Sequence, residues 1–175
     1  MRNIHFLLFI SVAIFAACTG STPNTEPQQL SAQVETTTSP FTDTLKLDTF
    51  KVELQGEKSK TAKLIFKIIS FEGKEVYQTS ISADSLIKEN VKLKTEKDKM
   101  NFLKNEVKYF FEEEHFLWPA VMPDEQPDKN VSDKAFYQEL KDTQLNGFNY
   151  RTGIESKVYI AWSVKEQKVK VYYEL

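Results

Sequence analysis

The sequence predicts an α+β domain, with an antiparallel sheet of five to six strands, one main helix packed on that sheet and a second, short helix. Three observations predict it. Apolar and polar residues alternate with period two at Phe50, Val52 and Leu54; a helical period runs from Met100 to Leu117; and two further alternating runs, separated by a short turn, close the chain as a hairpin.

The first strand is the Phe50, Val52, Leu54 run, with Lys51 and Glu53 on the polar side. Leu45 and Leu47 have the opposite parity, which predicts a bulge or a break near Asp48. After a turn over residues 55–60, the segment Lys63 to Phe71 is dense in Leu, Ile and Phe, as a strand covered on both faces would be. Glu72, Gly73 and Lys74 turn the chain, and Val76 to Ser82 returns as the third strand of a meander.

Thr95 followed by Asp98 has the form of a capping box. The apolar stripe Met100, Leu103, Val107, Phe110, Phe111 and Leu117 keeps helical period beyond it, and Pro119 ends the helix because the residue before a proline is pushed out of the α region. A second helix starts at Ser132 as N-cap, passes through Phe136 and Leu140 and stops around Asn146 and Gly147. The closing hairpin sets Val158, Ile160, Trp162 and Val164 on one face, turns at Glu166 and Gln167, and returns through Val169, Val171 and Tyr173. Alternation puts Trp162 with the core set and Tyr159 on the opposite face. A cystatin-like sheet wrapping its helix is one topology this order allows.

The N-terminus has a different character. Arg2 precedes an apolar run from Ile4 to Ala17, broken only by His5 and Ser11, which is too short to span a bilayer at roughly 20 residues and has the layout of an export signal. It ends Phe15, Ala16, Ala17, Cys18, with two small residues directly before the only cysteine in the chain. A free exposed thiol would be a liability in an oxidising compartment. This ending resembles the lipobox of bacterial lipoprotein precursors. The resemblance implies a signal peptide over residues 1–17, cleavage before Cys18 and a diacylglycerol on its thiol. At about 0.8 kcal/mol per buried methylene, two or three acyl chains hold a soluble domain to a membrane without a transmembrane helix.

Phe15, together with lysine far outnumbering arginine, resembles lipoproteins of the Bacteroidetes. Thr19 after the cysteine, with no acid from Thr19 to Thr25, then implies a cell-envelope address on the outer membrane, facing the periplasm. Residues 18–41 hold the cysteine and a stretch rich in Thr, Pro and Gln that cannot bury enough surface to offset its ordering entropy, so they read as a flexible tether. Residues 42–175 are then a single α+β domain.

Composition excludes several chemistries from that domain. Without a cysteine it has no thiol nucleophile and no cysteine metal site, and with His115 as its one histidine it cannot build a zinc site from several His ligands. Once Arg2 is removed, 22 Lys and Arg face 25 acids, a balance that implies neither nucleic acid nor an anionic surface as partner. Arg151 is the only arginine left, so bidentate recognition of phosphates or carboxylates has little material.

Two patterns touch metal chemistry. Glu112 and His115 have the Glu-x-x-His spacing of dinuclear iron proteins, but such sites need two copies on a helical bundle, and one copy among strands predicts a solvated face. Asp128, Asn130, Ser132 and Glu139 occupy positions 1, 3, 5 and 12 of a calcium loop resembling that of EF-hand proteins. Asp133 stands where that family needs Gly, and Pro127 opposes an incoming helix, so calcium is a weak alternative to an acidic loop.

The stretch Phe116 to Pro123 sets Trp118, Met122 and two prolines where a connection is expected. The simpler reading is a loop packing back over the core with Trp118 as its plug; exposed, the same residues form a binding patch. The function expected is a non-enzymatic envelope lipoprotein that binds another envelope protein or polymer, with no catalytic residues assigned and Trp118, Met122 and Tyr159 as candidate contacts. The alternative is an envelope hydrolase or transferase working through carboxylates, which a pocket holding two carboxylates of raised pKa would favour.

Overall fold

In the computed structural model, the described residues are 33–88 and 90–175. The expected signal peptide, Cys18 and most of the expected tether therefore lie outside them. No helix among the described residues is long and apolar enough to cross a membrane.

Alternation builds the first sheet. Strands β1 (Val34–Pro40), β2 (Leu47–Gln55), β3 (Lys63–Ile69) and β4 (Glu75–Ser82) pair in sequence order, all antiparallel. Phe50, Val52 and Leu54 on β2 and Leu64, Phe66 and Ile68 on β3 turn to the same buried face. The turn at Gly73 needs a positive φ of 82°, which glycine alone adopts without strain. Two helices follow, the short α1 (Ala83–Ile87) and α2 (Glu96–Lys108). The predicted capping box is present: the Thr95 hydroxyl accepts from the Asp98 amide, and the Asp98 carboxylate accepts from the Thr95 amide.

A second sheet is formed by β5 (Phe116–Leu117), β6 (Gly147–Arg151), β7 (Lys157–Ser163) and β8 (Lys168–Glu174), again antiparallel and in sequence order. Helix α3 (Lys134–Thr143) is inserted between β5 and β6. The second sheet is buried on both faces. Phe148, Tyr150 and Ile160 join the inner face of the first sheet and Leu103 and Val107 of α2 in one core. Ala161 and Tyr172 meet Phe136 and Leu140 of α3 in another. At the centre of the first core, Phe50 has the rings of Phe41, Phe66, Phe111, Phe116 and Phe148 at centroid distances of 5.3 to 6.2 Å. Each fully buried phenylalanine contributes about 1.5–3 kcal/mol of transfer free energy.

The expected single sheet with one main helix is thus corrected to two four-stranded antiparallel sheets and three short helices, a mostly β architecture. Two physical causes account for the difference. Strand β1 has the sequence VETTTSP, whose inward positions are Glu35, Thr37 and Ser39, so it carries no apolar alternation; it also falls within the stretch read as tether. Helix α2 stops at Lys108, eleven residues before the expected stop at Pro119. Phe110 and Phe111 leave the helix to pack on Phe66 and Phe148, and Phe116 and Leu117, read as the end of the stripe, form β5.

Two register details also differ. Strand β2 pairs with β1 without interruption through Asp48, so the expected bulge there is absent: Leu45 and Leu47 face outward, and Asp48 takes the inward position. The hairpin does carry an irregularity, between Tyr159 and Ile160. Beyond it Tyr173 lies with Tyr159 against the α3 side, not with Val169 and Val171. Trp162 packs on the first core and Tyr159 on the second, as alternation predicts.

Candidate functional site

The connection from β5 to α3 is pinned at its middle and open on either side. Gly147 lets it approach: a Cβ there would meet the Ala120 Cβ at 2.9 Å and the Tyr172 hydroxyl at 3.0 Å. In the space this leaves, the Ala120 amide donates to the Leu145 carbonyl at 2.8 Å, and the Tyr172 hydroxyl donates to the Ala120 carbonyl at 2.9 Å. Ala120 and Val121 are buried, whereas Trp118 is 63% and Met122 51% exposed. The plug of this loop is Ala120 and Val121, and the two large side chains project from it.

The rest of the loop is tied down by hydrogen bonds. The Glu125 carboxylate accepts from the Met122 amide at 3.3 Å, and Lys141 donates to the Glu125 carbonyl at 2.8 Å. The hydroxyl of Tyr173 donates to Asp128 at 2.9 Å and accepts from the Asn130 side chain at 3.1 Å. Tyr159 meets Tyr173 edge to face, with centroids 5.3 Å apart, so this face of the second sheet is a row of tyrosines beside the loop.

The structure does not gather the four calcium-loop residues into one ligand set. Asp128 and Asn130 share Tyr173, but Glu139 is buried on the sheet side of α3, where its carboxylate accepts from the Ser163 hydroxyl at 3.0 and 3.2 Å and from the Lys165 amide at 3.1 Å. Ser132 is exposed and does not cap the helix. The N-cap is Asp133, whose carboxylate accepts from the Phe136 amide at 3.0 Å.

Between α2, the 3-10 turn Glu113–His115 and β6 lies a cleft of about 550 Å³, lined by Glu106, His115, Tyr150, Arg151 and Lys157 among others. Arg151 stands 3.6 Å from Glu106 and donates to the Gly153 carbonyl at 3.4 Å. Burial raises the Glu106 carboxyl above the ordinary glutamate range, and the charges of Arg151 and His115 oppose that rise. Asn149 donates through its amide nitrogen to the Glu114 and His115 carbonyls, so its oxygen faces His115 Nδ1 at 3.1 Å as acceptor. The other ring nitrogen, Nε2, lies 4.0 Å from the Glu114 carboxylate. The donor atoms of Glu112, Glu114 and His115 lie within 4.8 Å of one another, so these are the side chains that could hold a cation here.

No protein-family model, curated protein or solved structure matches this chain. Its site is therefore read from its own chemistry. The apolar stretch singled out Trp118 and Met122; Arg151 stood out only as a lone arginine, and the Glu-x-x-His spacing put His115 on a solvated face, whereas its side chain is 14% exposed. Glu106 gave no signal, because one glutamate on a helix with charges all round is indistinguishable from a solvated one.

Proposed function

We propose that this chain is a lipid-anchored envelope protein, held by Cys18, that acts as a non-enzymatic binding module through the loop bearing Trp118 and Met122. The observation that carries the reading is the exposure of both large apolar side chains on one short segment whose neighbours Ala120 and Val121 are buried. A pinned backbone presents such side chains at little ordering cost, which is what a binding surface needs. Val91 is more exposed still but stands alone, and scattered apolar residues are normal on a protein surface; Leu45 and Leu47 are a second exposed pair, without a buried pair of apolar residues between them.

The anchor and the loop are tested separately. Cys18→Ala is expected to abolish incorporation of labelled fatty acid and to release the protein from membranes; unchanged membrane attachment would contradict the anchor. Affinity capture from solubilised envelope compares the wild type with Trp118→Ala plus Met122→Ala. A partner that the wild type retains and this variant loses is the expected result. A partner retained equally by both would contradict the loop as the contact.

A further inference from the structure

The contact loop lies within a stretch of one sign of charge. From Tyr109 to Asp128 the chain carries Glu112, Glu113, Glu114, Asp124, Glu125 and Asp128 and neither a lysine nor an arginine, although lysine recurs throughout the rest of the domain. All six acids are exposed. Among the described residues none of the six carboxylates forms a salt bridge with a lysine or arginine; such bridges are made by acids elsewhere, such as Glu53, Glu75 and Glu106. Along the chain Trp118 and Met122 therefore stand between two acidic groups, one before β5 and one at and after the turn ending at Glu125, and among the described residues neither is neutralised by an ion pair with a lysine or arginine.

An apolar centre with a charged rim is how hot spots are built: the centre supplies the desolvated contact, and the rim supplies orientation and on-rate. The sign of the rim decides what can dock. Anionic lipid headgroups and anionic polymers are repelled, so Trp118 is not placed to enter an anionic membrane surface. A lysine- or arginine-bearing segment is attracted from beyond contact distance, over a screening length of about 8 Å at physiological salt. Methionine adapts its shape to an apolar anchor on such a segment, and the tryptophan face also attracts cations.

We infer that the partner of this loop is a cationic protein segment carrying an apolar anchor, which packs on Trp118 and Met122 while its basic residues face the two acidic groups. The inference rests on the preceding reading of the loop as the contact surface.

The test uses the full chain in non-ionic detergent and a fluorescent lysine peptide with a central leucine, followed by anisotropy at low and at physiological salt. The peptide is expected to bind. Its affinity should fall roughly tenfold or more both for Trp118→Ala plus Met122→Ala and for Glu112→Gln, Glu113→Gln, Glu114→Gln plus Asp124→Asn. Neutralising two exposed acids elsewhere, Glu57→Gln plus Glu72→Gln, should leave it unchanged. An equal loss in this control, or equal binding of a glutamate peptide or of phosphatidylglycerol vesicles, would overturn the inference. If the lysine peptide fails to bind while the Trp118 and Met122 variant still loses its envelope partner, the charge inference falls and the loop reading stands. If that variant loses nothing in either assay, both fall.

Discussion

Asp48 is the residue on which the first sheet turns. It is fully buried, yet its carboxylate accepts from the amides of Phe41 at 3.1 Å, Thr42 at 2.6 Å and Phe71 at 2.8 Å, and from the Thr42 hydroxyl at 2.9 Å. One side chain thus ties the β1–β2 connection to the β3–β4 turn. Its removal strands buried amides, so Asp48→Ala is expected to cost about 3 kcal/mol or more in urea unfolding; a loss within about 0.5 kcal/mol would contradict the role. The sequence marked this position through the reversed parity of Leu45 and Leu47, but alternation alone cannot separate a bulge from an inward carboxylate with local amide partners. Glu106 poses the opposite case. With its folded pKa above the ordinary value, its contribution to stability is full below the ordinary glutamate range and is lost as pH rises through the raised value. Glu106→Gln is therefore expected to be at least as stable as wild type at neutral pH, with any advantage shrinking below the ordinary glutamate range. Denaturation at the two pH values checks this, and a variant weaker at neutral pH than in acid would contradict it.

At the scale of elements, local signals were legible wherever a chemical device marks a boundary. The Thr95 and Asp98 pair states where α2 begins, and Gly73 states where β3 turns into β4. The end of α2 was not legible, because the period that continues past Lys108 is an aromatic run recruited by the core between the sheets. Nor was β1, whose inward threonine and serine side chains have no hydrophobic pattern to read. The start of α3 was legible to within one residue: either Ser132 or Asp133 can cap a helix, and Lys170 decides between them by bonding the Asp133 carboxylate at 2.8 Å. That lysine first, and the Phe136 amide second, hold the Asp133 carboxyl below the usual range. Its contribution is present above the ordinary aspartate value and lost as pH falls. Asp133→Ala is expected to cost about 1 kcal/mol at neutral pH and less in acid. An equal cost at both would place the effect elsewhere than in the charge.

At the scale of the whole molecule, the second sheet is shared by two cores, and this arrangement presents the loop. One face of the sheet closes on the first sheet and α2, the other on α3, and the connection to α3 leaves the edge strand β5 with Ala120 and Val121 inserted and Trp118 and Met122 outside. That a binding patch could lie in this stretch was legible from its composition. Its exposure was not, because exposure depends on the gap at Gly147 that admits Ala120 in place of a larger plug. Since neither projecting side chain holds the fold, Trp118→Ala plus Met122→Ala is expected to change stability by less than about 0.5 kcal/mol; a larger loss in urea unfolding would return them to the core. The most direct measurement uses the second tryptophan's removal, Trp162→Phe, so that Trp118 is the only fluorophore of its kind in the chain. Acrylamide quenching of Trp118 is then compared between the free protein and its captured envelope complex. A binding loop predicts ready quenching when free and strong protection in the complex. A complex that forms while Trp118 remains as quenchable as before would contradict the account.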